Sequence, residues 1–251
     1  AAWATANWTN KDAATTYKED CSVVATTYVP DDNFEQALID LGYDTGALDD
    51  YVPTANISDV TQLSLGSKNI SDLTGIEDFL ALKVLVVNNN QLTSLDVSKN
   101  IELGEMNAAS NQIKTIDVTK NTKLTYLNLG DTGLSTIDVT KNIALKQLYL
   151  SSNQLTTIDL SKNVGLLLLS IYNNQLTNLD VSKNIELGNL SATNNQIKTI
   201  DVTKNIALKY LYLSSNQLTS LDVSKNIGLY NIFATNNQIK TIDVTKNIVL
   251  R

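Results

Sequence analysis

Leucine recurs at positions 82, 103, 124, 145, 166, 187, 208, 229 and 250, a spacing of 21 residues that never slips. Each of these leucines opens an apolar–polar alternation, as in Leu145-Lys-Gln-Leu148-Tyr-Leu150-Ser-Ser-Asn153. In an extended strand successive side chains point to opposite sides, so Leu148 and Leu150 share one face while Tyr149 and Ser151 share the other. The second half of the period, Leu155-Thr-Thr-Ile158-Asp-Leu160-Ser-Lys-Asn163, reads almost the same way. One coil of chain therefore holds two extended segments, each with an apolar inner side. Neither segment can bury that side alone, so the coils must stack, each touching only its neighbours. At a strand spacing of about 4.8 Å, eight full coils make an array roughly 40 Å long.

Asparagine forms two further ladders, one at 90, 111, 153, 174, 195, 216 and 237, the other at 100, 121, 142, 163, 184, 205, 226 and 247. A buried amide can bond backbone groups left unpaired where the chain turns, which explains Asn rather than Leu at these points. Thr132 breaks the first ladder, within Gly130-Asp131-Thr132-Gly133, and predicts a local irregularity there.

The recurring pattern LxxLxLxxN resembles the bacterial leucine-rich repeats with a nested 21-residue period, found in secreted proteins of the Bacteroidetes and especially of flavobacteria. The stretch Tyr28-Val-Pro-Asp-Asp-Asn-Phe-Glu-Gln-Ala-Leu-Ile-Asp-Leu-Gly-Tyr43 resembles the cap that precedes such arrays. The first repeat, Val60 to Ala81, is 22 residues long, and its run Ile70-Ser-Asp-Leu-Thr-Gly-Ile76 is similar to internalin-type repeats. The resemblance covers residues 28–251. It implies a leucine-rich-repeat solenoid with a parallel β-sheet on the concave face, extended segments on the convex face and a short helical N-terminal cap. It also implies a secreted or cell-surface location, export by the type 9 system with a signal beyond Arg251, and a role in adhesion or surface motility. It says nothing about the ligand.

On this reading the chain divides into an N-terminal extension of unclear structure (1–27), a helical cap (28–59) and the repeat array (60–251). Asp31 and Asp32 before Asn33–Leu41 read as the start of a short amphipathic helix, with an acidic N-cap, a following Glu and Gly42 as the stop. Its apolar side, Phe34, Leu38 and Leu41, is expected to cover the open end of the solenoid. Residues 1–29 carry neither a basic segment nor an apolar core of a signal peptide, as in a mature or trimmed product. The chain stops as a ninth repeat begins and shows no polar C-terminal cap, which suggests part of a longer protein.

Composition narrows the chemistry. No apolar run reaches the length of about 18 residues that a membrane helix needs. The net charge of −7 is uneven: residues 1–81 hold 3 Lys against 14 acids, whereas residues 82–250 hold 15 Lys against 12. No concentrated basic stripe exists for phosphates, so nucleic acid is excluded as a partner. Cys21 is the sole cysteine and His is absent, which removes disulfide frameworks, CxxC metal sites, the usual general base and Ser–His or Cys–His pairs. No glycine motif for nucleotide phosphates appears, and no cofactor is expected.

Comparing the repeats with one another separates scaffold from surface. The run Asn-Gln-(Leu/Ile)-x-x-(Leu/Ile)-Asp-Val-(Ser/Thr)-Lys-Asn hardly changes, while variation concentrates at the first, second, fourth and sixth residues after the opening Leu. Every aromatic in the array is placed on this outward surface of the first strand: Tyr126, Tyr149, Tyr172, Tyr210, Tyr212, Tyr230 and Phe233. Such rings can stack on sugars or anchor a protein, and they equally suit strands through cross-strand pairing. Their one-sided placement favours a binding role, with Tyr210, Tyr212, Tyr230 and Phe233 forming one patch.

The Asp ladder at 96, 117, 138, 159, 180, 201, 222 and 243 is the one feature that suggests catalysis, since paired carboxylates can hydrolyse glycosides. Eight equivalent carboxylates are a structural repeat, however, and not a dyad in two different environments. The parallel Lys ladder from Lys99 to Lys246 is expected to offset their repulsion, and no pocket is expected beside them. Asp44, Asp49, Asp50 and Asp59 read as a solvated acidic loop, since their spacing does not match a calcium loop. The expected function is thus a non-enzymatic module that binds a protein or glycan on its variable face. A structural spacer or secretion cargo is the alternative, and a carboxylate glycosidase a remote one.

Overall fold

The computed structural model describes residues 24–251. The expected extension 1–27, including Cys21, therefore lies almost wholly outside the described residues.

Nine three-residue strands pair in chain order into one parallel sheet. They follow the cap strands β1 (Thr26–Tyr28) and β2 (Tyr51–Pro53) and are β3 (Gln62–Ser64), β4 (Val84–Val86), β5 (Glu105–Asn107), β6 (Tyr126–Asn128), β7 (Gln147–Tyr149), β8 (Leu168–Ser170), β9 (Asn189–Ser191), β10 (Tyr210–Tyr212) and β11 (Asn231–Phe233). From β4 onward the register advances by 21 residues per strand, as in Leu127↔Leu148 and Leu148↔Leu169. The fold is a leucine-rich-repeat solenoid. Leu148, Leu150, Leu155 and Leu160 of one turn are all buried, so both halves of the period face a common core. The second half stays extended without pairing as a strand, joined across turns by single bonds such as Gln154 N to Leu134 O (2.8 Å).

The two Asn ladders hold the turns. Asn174 Nδ2 donates to Leu150 O (2.9 Å) and Ile171 O (3.1 Å), and its Oδ1 accepts from Leu155 N (3.0 Å), so one amide links two successive turns. In the second ladder Asn163 Nδ2 donates to Val139 O (3.0 Å) and Asn142 O (2.9 Å). The Oδ1 atoms of that second ladder have no hydrogen-bond partner, so it is held through its donors alone. Asn237, in the last turn, is only half-buried. A further ladder was not anticipated. Asn89, Ser110, Asp131, Ser152, Asn173, Asn194, Ser215 and Asn236 all take φ near +55°, where short polar side chains are better tolerated than bulky ones.

The irregularity at Thr132 is present and small. Thr132 Oγ1 donates to Leu129 O (3.0 Å), in place of the bond that an Asn amide makes to the equivalent carbonyl elsewhere, as Asn111 Nδ2 does to Ala108 O. Gly133 N turns to Asn153 Oδ1 (2.9 Å), whereas its counterparts bond the preceding turn, and the strands β6 and β7 stay in register. The junction with Ile113 thus loses bonds that every neighbouring junction keeps.

The cap contains α1 (Asp32–Asp40), the short α2 (Thr54–Ile57) and the antiparallel pair β1–β2. Asp31 is the N-cap, accepting through Oδ1 from Asn33 N and Phe34 N (both 3.0 Å). Its Oδ2 accepts from Ser71 N (2.8 Å), Ser71 Oγ (2.7 Å) and Asp72 N (3.1 Å), which ties the helix start to the first repeat. Burial pushes this carboxyl up, and the bonds to Ser71, Phe34 and Asp72 outweigh it, leaving Asp31 below the usual Asp value. Glu35 does not close a capping box. It is fully buried and accepts from Asp49 N (2.8 Å) and Asp50 N (3.1 Å), so it organises the acidic loop instead. Phe34 and Leu38 cover the core as expected, but Leu41 is 48 % exposed, because the helix ends at Asp40 and Ala37 fills that side.

Candidate functional site

The concave sheet displays positions two, four and six of each turn, and the parallel register stacks equivalent side chains on neighbouring strands. Tyr126 and Tyr149, diagonal across β6 and β7, have ring centroids 5.4 Å apart. Burial, and then the neighbouring Tyr126, raises the Tyr149 phenol above its ordinary value. Tyr212 and Phe233, paired directly across β10 and β11, stack at 5.4 Å with planes 17° apart. Tyr210 meets Tyr230 edge-on at 6.0 Å. The four C-terminal rings therefore resolve into two pairs, with Arg251 4.9 Å above the Tyr230 ring. Phe233 and Tyr172 remain 48 % and 40 % exposed.

One aromatic departs from the expected placement. Phe79, in the first turn, is fully buried and stacks on Phe34 of α1 at 6.3 Å, so it serves the cap and not the concave face. The first turn must bond to a helix where the others bond to a copy of themselves, and a large ring fills that wider junction.

The ladder carboxylates face their own backbone. Asp138 Oδ1 accepts from Thr140 N (2.8 Å) and Thr140 Oγ1 (2.7 Å), and Asp201 makes the same pair with Thr203. The hydroxyl and N–H two residues on hold each ladder Asp below its ordinary pKa, and the neighbouring Lys contributes less. The Lys ladder acts as expected against the mutual repulsion, with Lys141 lowering and Asp117 raising Asp138, but without contact: among the described residues the ion pairs are Lys68–Asp40, Lys123–Glu102 and Lys146–Glu186.

A hollow of about 380 Å³ does lie beside Asp72, Glu77 and Asp96, where none was expected. Its carboxylates are occupied: Asp72 Oδ1 accepts from Thr74 N, Glu77 Oε2 from Gly75 N and Asp96 Oδ1 from Ser98 N (each 2.8 Å). A glycosidase acid needs a raised pKa, and Asp96 is shifted the other way by its bonds to Ser98. Among the described residues, no three His, Cys, Asp or Glu side chains are grouped to hold a metal ion, the acidic loop included.

Comparison with known proteins agrees with the geometry. The family model described as Leucine Rich Repeat matches residues 207–227. The functional domain of InlJ from Listeria monocytogenes is 31% identical over 90% of this chain and 56% of its own, with a TM-score of 0.75. Internalin C2 of the same organism is 26% identical over 86% of this chain and 95% of its own, with a TM-score of 0.72. A leucine-rich-repeat protein of Leptospira interrogans is 25% identical over 75% and 51%, with a TM-score of 0.67. This chain thus spans little more than half of the InlJ and Leptospira structures. No curated protein matches it in sequence. The InlJ domain is described as including a cysteine ladder; here the stacked polar ladders are Asn, and the lone Cys21 precedes the array. The similar structures are bacterial leucine-rich-repeat proteins of the internalin kind, a fold that commonly mediates protein binding. No helix among the described residues is long and apolar enough to cross a membrane.

Proposed function

We propose that this chain is a non-enzymatic binding module, secreted or displayed at a cell surface, that grips a protein or glycan ligand with its concave aromatic side chains. The observation that carries the reading is the stacked pair Tyr212–Phe233, which leaves Phe233 48 % exposed on the variable face. Rigid aromatic anchors on a preformed surface contribute affinity at little entropic cost. An adhesive role and export by the type 9 system are what the Bacteroidetes resemblance implies. Protein and soluble-glycan arrays test it: binding events seen with the unmodified chain should disappear with Tyr212→Ala and Phe233→Ala. If every event persists in both variants, the aromatic assignment is wrong and the spacer reading takes its place.

A further inference from the structure

A notch of about 240 Å³ interrupts the concave face midway along the array. It forms where four side chains make a checkerboard over two adjacent turns. Tyr149 and Tyr172 stand at opposite corners, and Ser151 and Ser170 occupy the other two, their hydroxyls bonded to each other at 2.8 Å. The hydroxyl pair is the floor, and the tyrosines are the walls. Gly130 and Asn128 extend the floor on the Tyr149 side.

Gly130 needs explaining, because it is not among the glycines with positive φ. Its counterparts one turn either side are Ala109 and Ser151, so the backbone does not require glycine there. An added Cβ would lie 3.3 Å from Asn128 Oδ1 and 3.5 Å from Ser151 O, inside the notch floor. Its missing side chain keeps the notch open. The irregular Asp131-Thr132-Gly133 segment follows directly, so the break in the Asn ladder sits beside the notch.

We propose that this notch is a subsite for a neutral pyranose. Two tyrosine rings offer flat apolar faces to sugar C–H groups, and the serine hydroxyls can donate and accept at once, as sugar hydroxyls require. No Lys or Arg lines the notch, and Asp131 is its only charged residue, so phosphate, sulfate and carboxylate ligands are disfavoured. The assignment rests on the reading of the concave face as a binding surface, but not on the ring pairs of β10 and β11.

Saturation-transfer NMR on the 251-residue chain with methyl glucopyranoside, methyl galactopyranoside and methyl mannopyranoside tests it. At least one sugar should receive saturation, strongest at the C–H protons of its apolar face. Ser170→Tyr should fill the notch and abolish the transfer; Tyr149 and Tyr212 at equivalent positions show that the fold accepts a ring there. Tyr172→Ala should weaken binding about tenfold, the upper range for one aromatic contact. Asp201→Asn, in the carboxylate ladder away from the notch, should leave the transfer intact. Absence of transfer from all three sugars overturns the subsite, as does transfer that survives Ser170→Tyr. Transfer that survives Ser170→Tyr but vanishes with Phe233→Ala overturns the notch while leaving the proposed function standing.

Discussion

The two faces of the solenoid carry the same kind of repeat and use it in opposite ways. On the convex side each Asp, Ser or Thr and buried Asn bonds the chain's own backbone: Asp138 to Thr140, Asn163 to Val139 and Asn142. On the concave side Tyr212 stacks on Phe233, and Phe233 and Tyr172 stay about half-exposed. A side chain whose bonding capacity is met within the turn cannot change without damage to the turn, so it repeats. One whose bonding capacity is unmet is free to vary and available to a partner. Constancy in these polar ladders marks scaffold, and variability marks the face proposed to meet a partner.

Substitutions that break this contrast should be most damaging on the convex side. Asn163→Asp removes both donors and turns a carboxylate toward two buried carbonyls, and it should cost about 4 kcal/mol in denaturant unfolding, more than Asn163→Ala. An Asp variant as stable as wild type would show that the ladder is not held through its donors. Repair of the irregular turn should act in the other direction. Thr132→Asn restores the missing amide and should raise stability by about 1 kcal/mol, measured as a shift in urea midpoint.

The Asp ladder should give a smaller, pH-dependent effect. Its folded pKa values lie below the unfolded ones, so its contribution is present above the unfolded value near 4 and is lost as pH falls through the folded values. Between pH 6 and pH 3 the thermal midpoint should fall further for the wild type than for an Asp138→Asn, Asp201→Asn variant. Because hydrogen bonds lower these values more than the neighbouring lysines do, added salt should remove only a minor part of that difference. The smallest effect on stability belongs to the concave face: Tyr212→Ala should cost only about 0.5 kcal/mol, the scale of one cross-strand pair. A loss above about 2 kcal/mol would mean that the ring supports the sheet and is not held ready for a ligand.

The period was legible in the sequence because it rests on spacing alone, the cap helix because its start and stop residues mark it, and the parallel sheet through the resemblance to leucine-rich repeats. Leu148 and Leu150 fall inward wherever a 21-residue coil closes. What the sequence concealed depends on which partner a polar atom chooses. Glu35 looked like part of a capping box and instead holds Asp49 and Asp50. The Lys ladder offsets the repulsion of the Asp ladder, but the larger signal was the Ser or Thr two residues on, since Asp-x-Ser/Thr closes a local turn. Comparison by variability also passed over an exposed aliphatic row, Ile143, Val164, Ile185, Ile206 and Ile227, each between 54 % and 66 % exposed, because it barely changes. The notch was hidden for a related reason: Gly130 and Ser170 carry no signal singly, and only the register brings them between Tyr149 and Tyr172.

The division between the two faces is tested most directly by matched double variants on one set of protein and glycan arrays. Tyr212→Ala with Phe233→Ala alters the concave face, and Asp159→Asn with Asp180→Asn alters the convex face, with folding of both checked by circular dichroism. The concave variant should lose binding that the convex variant retains. Binding lost with the convex variant and kept by the concave one would contradict the account.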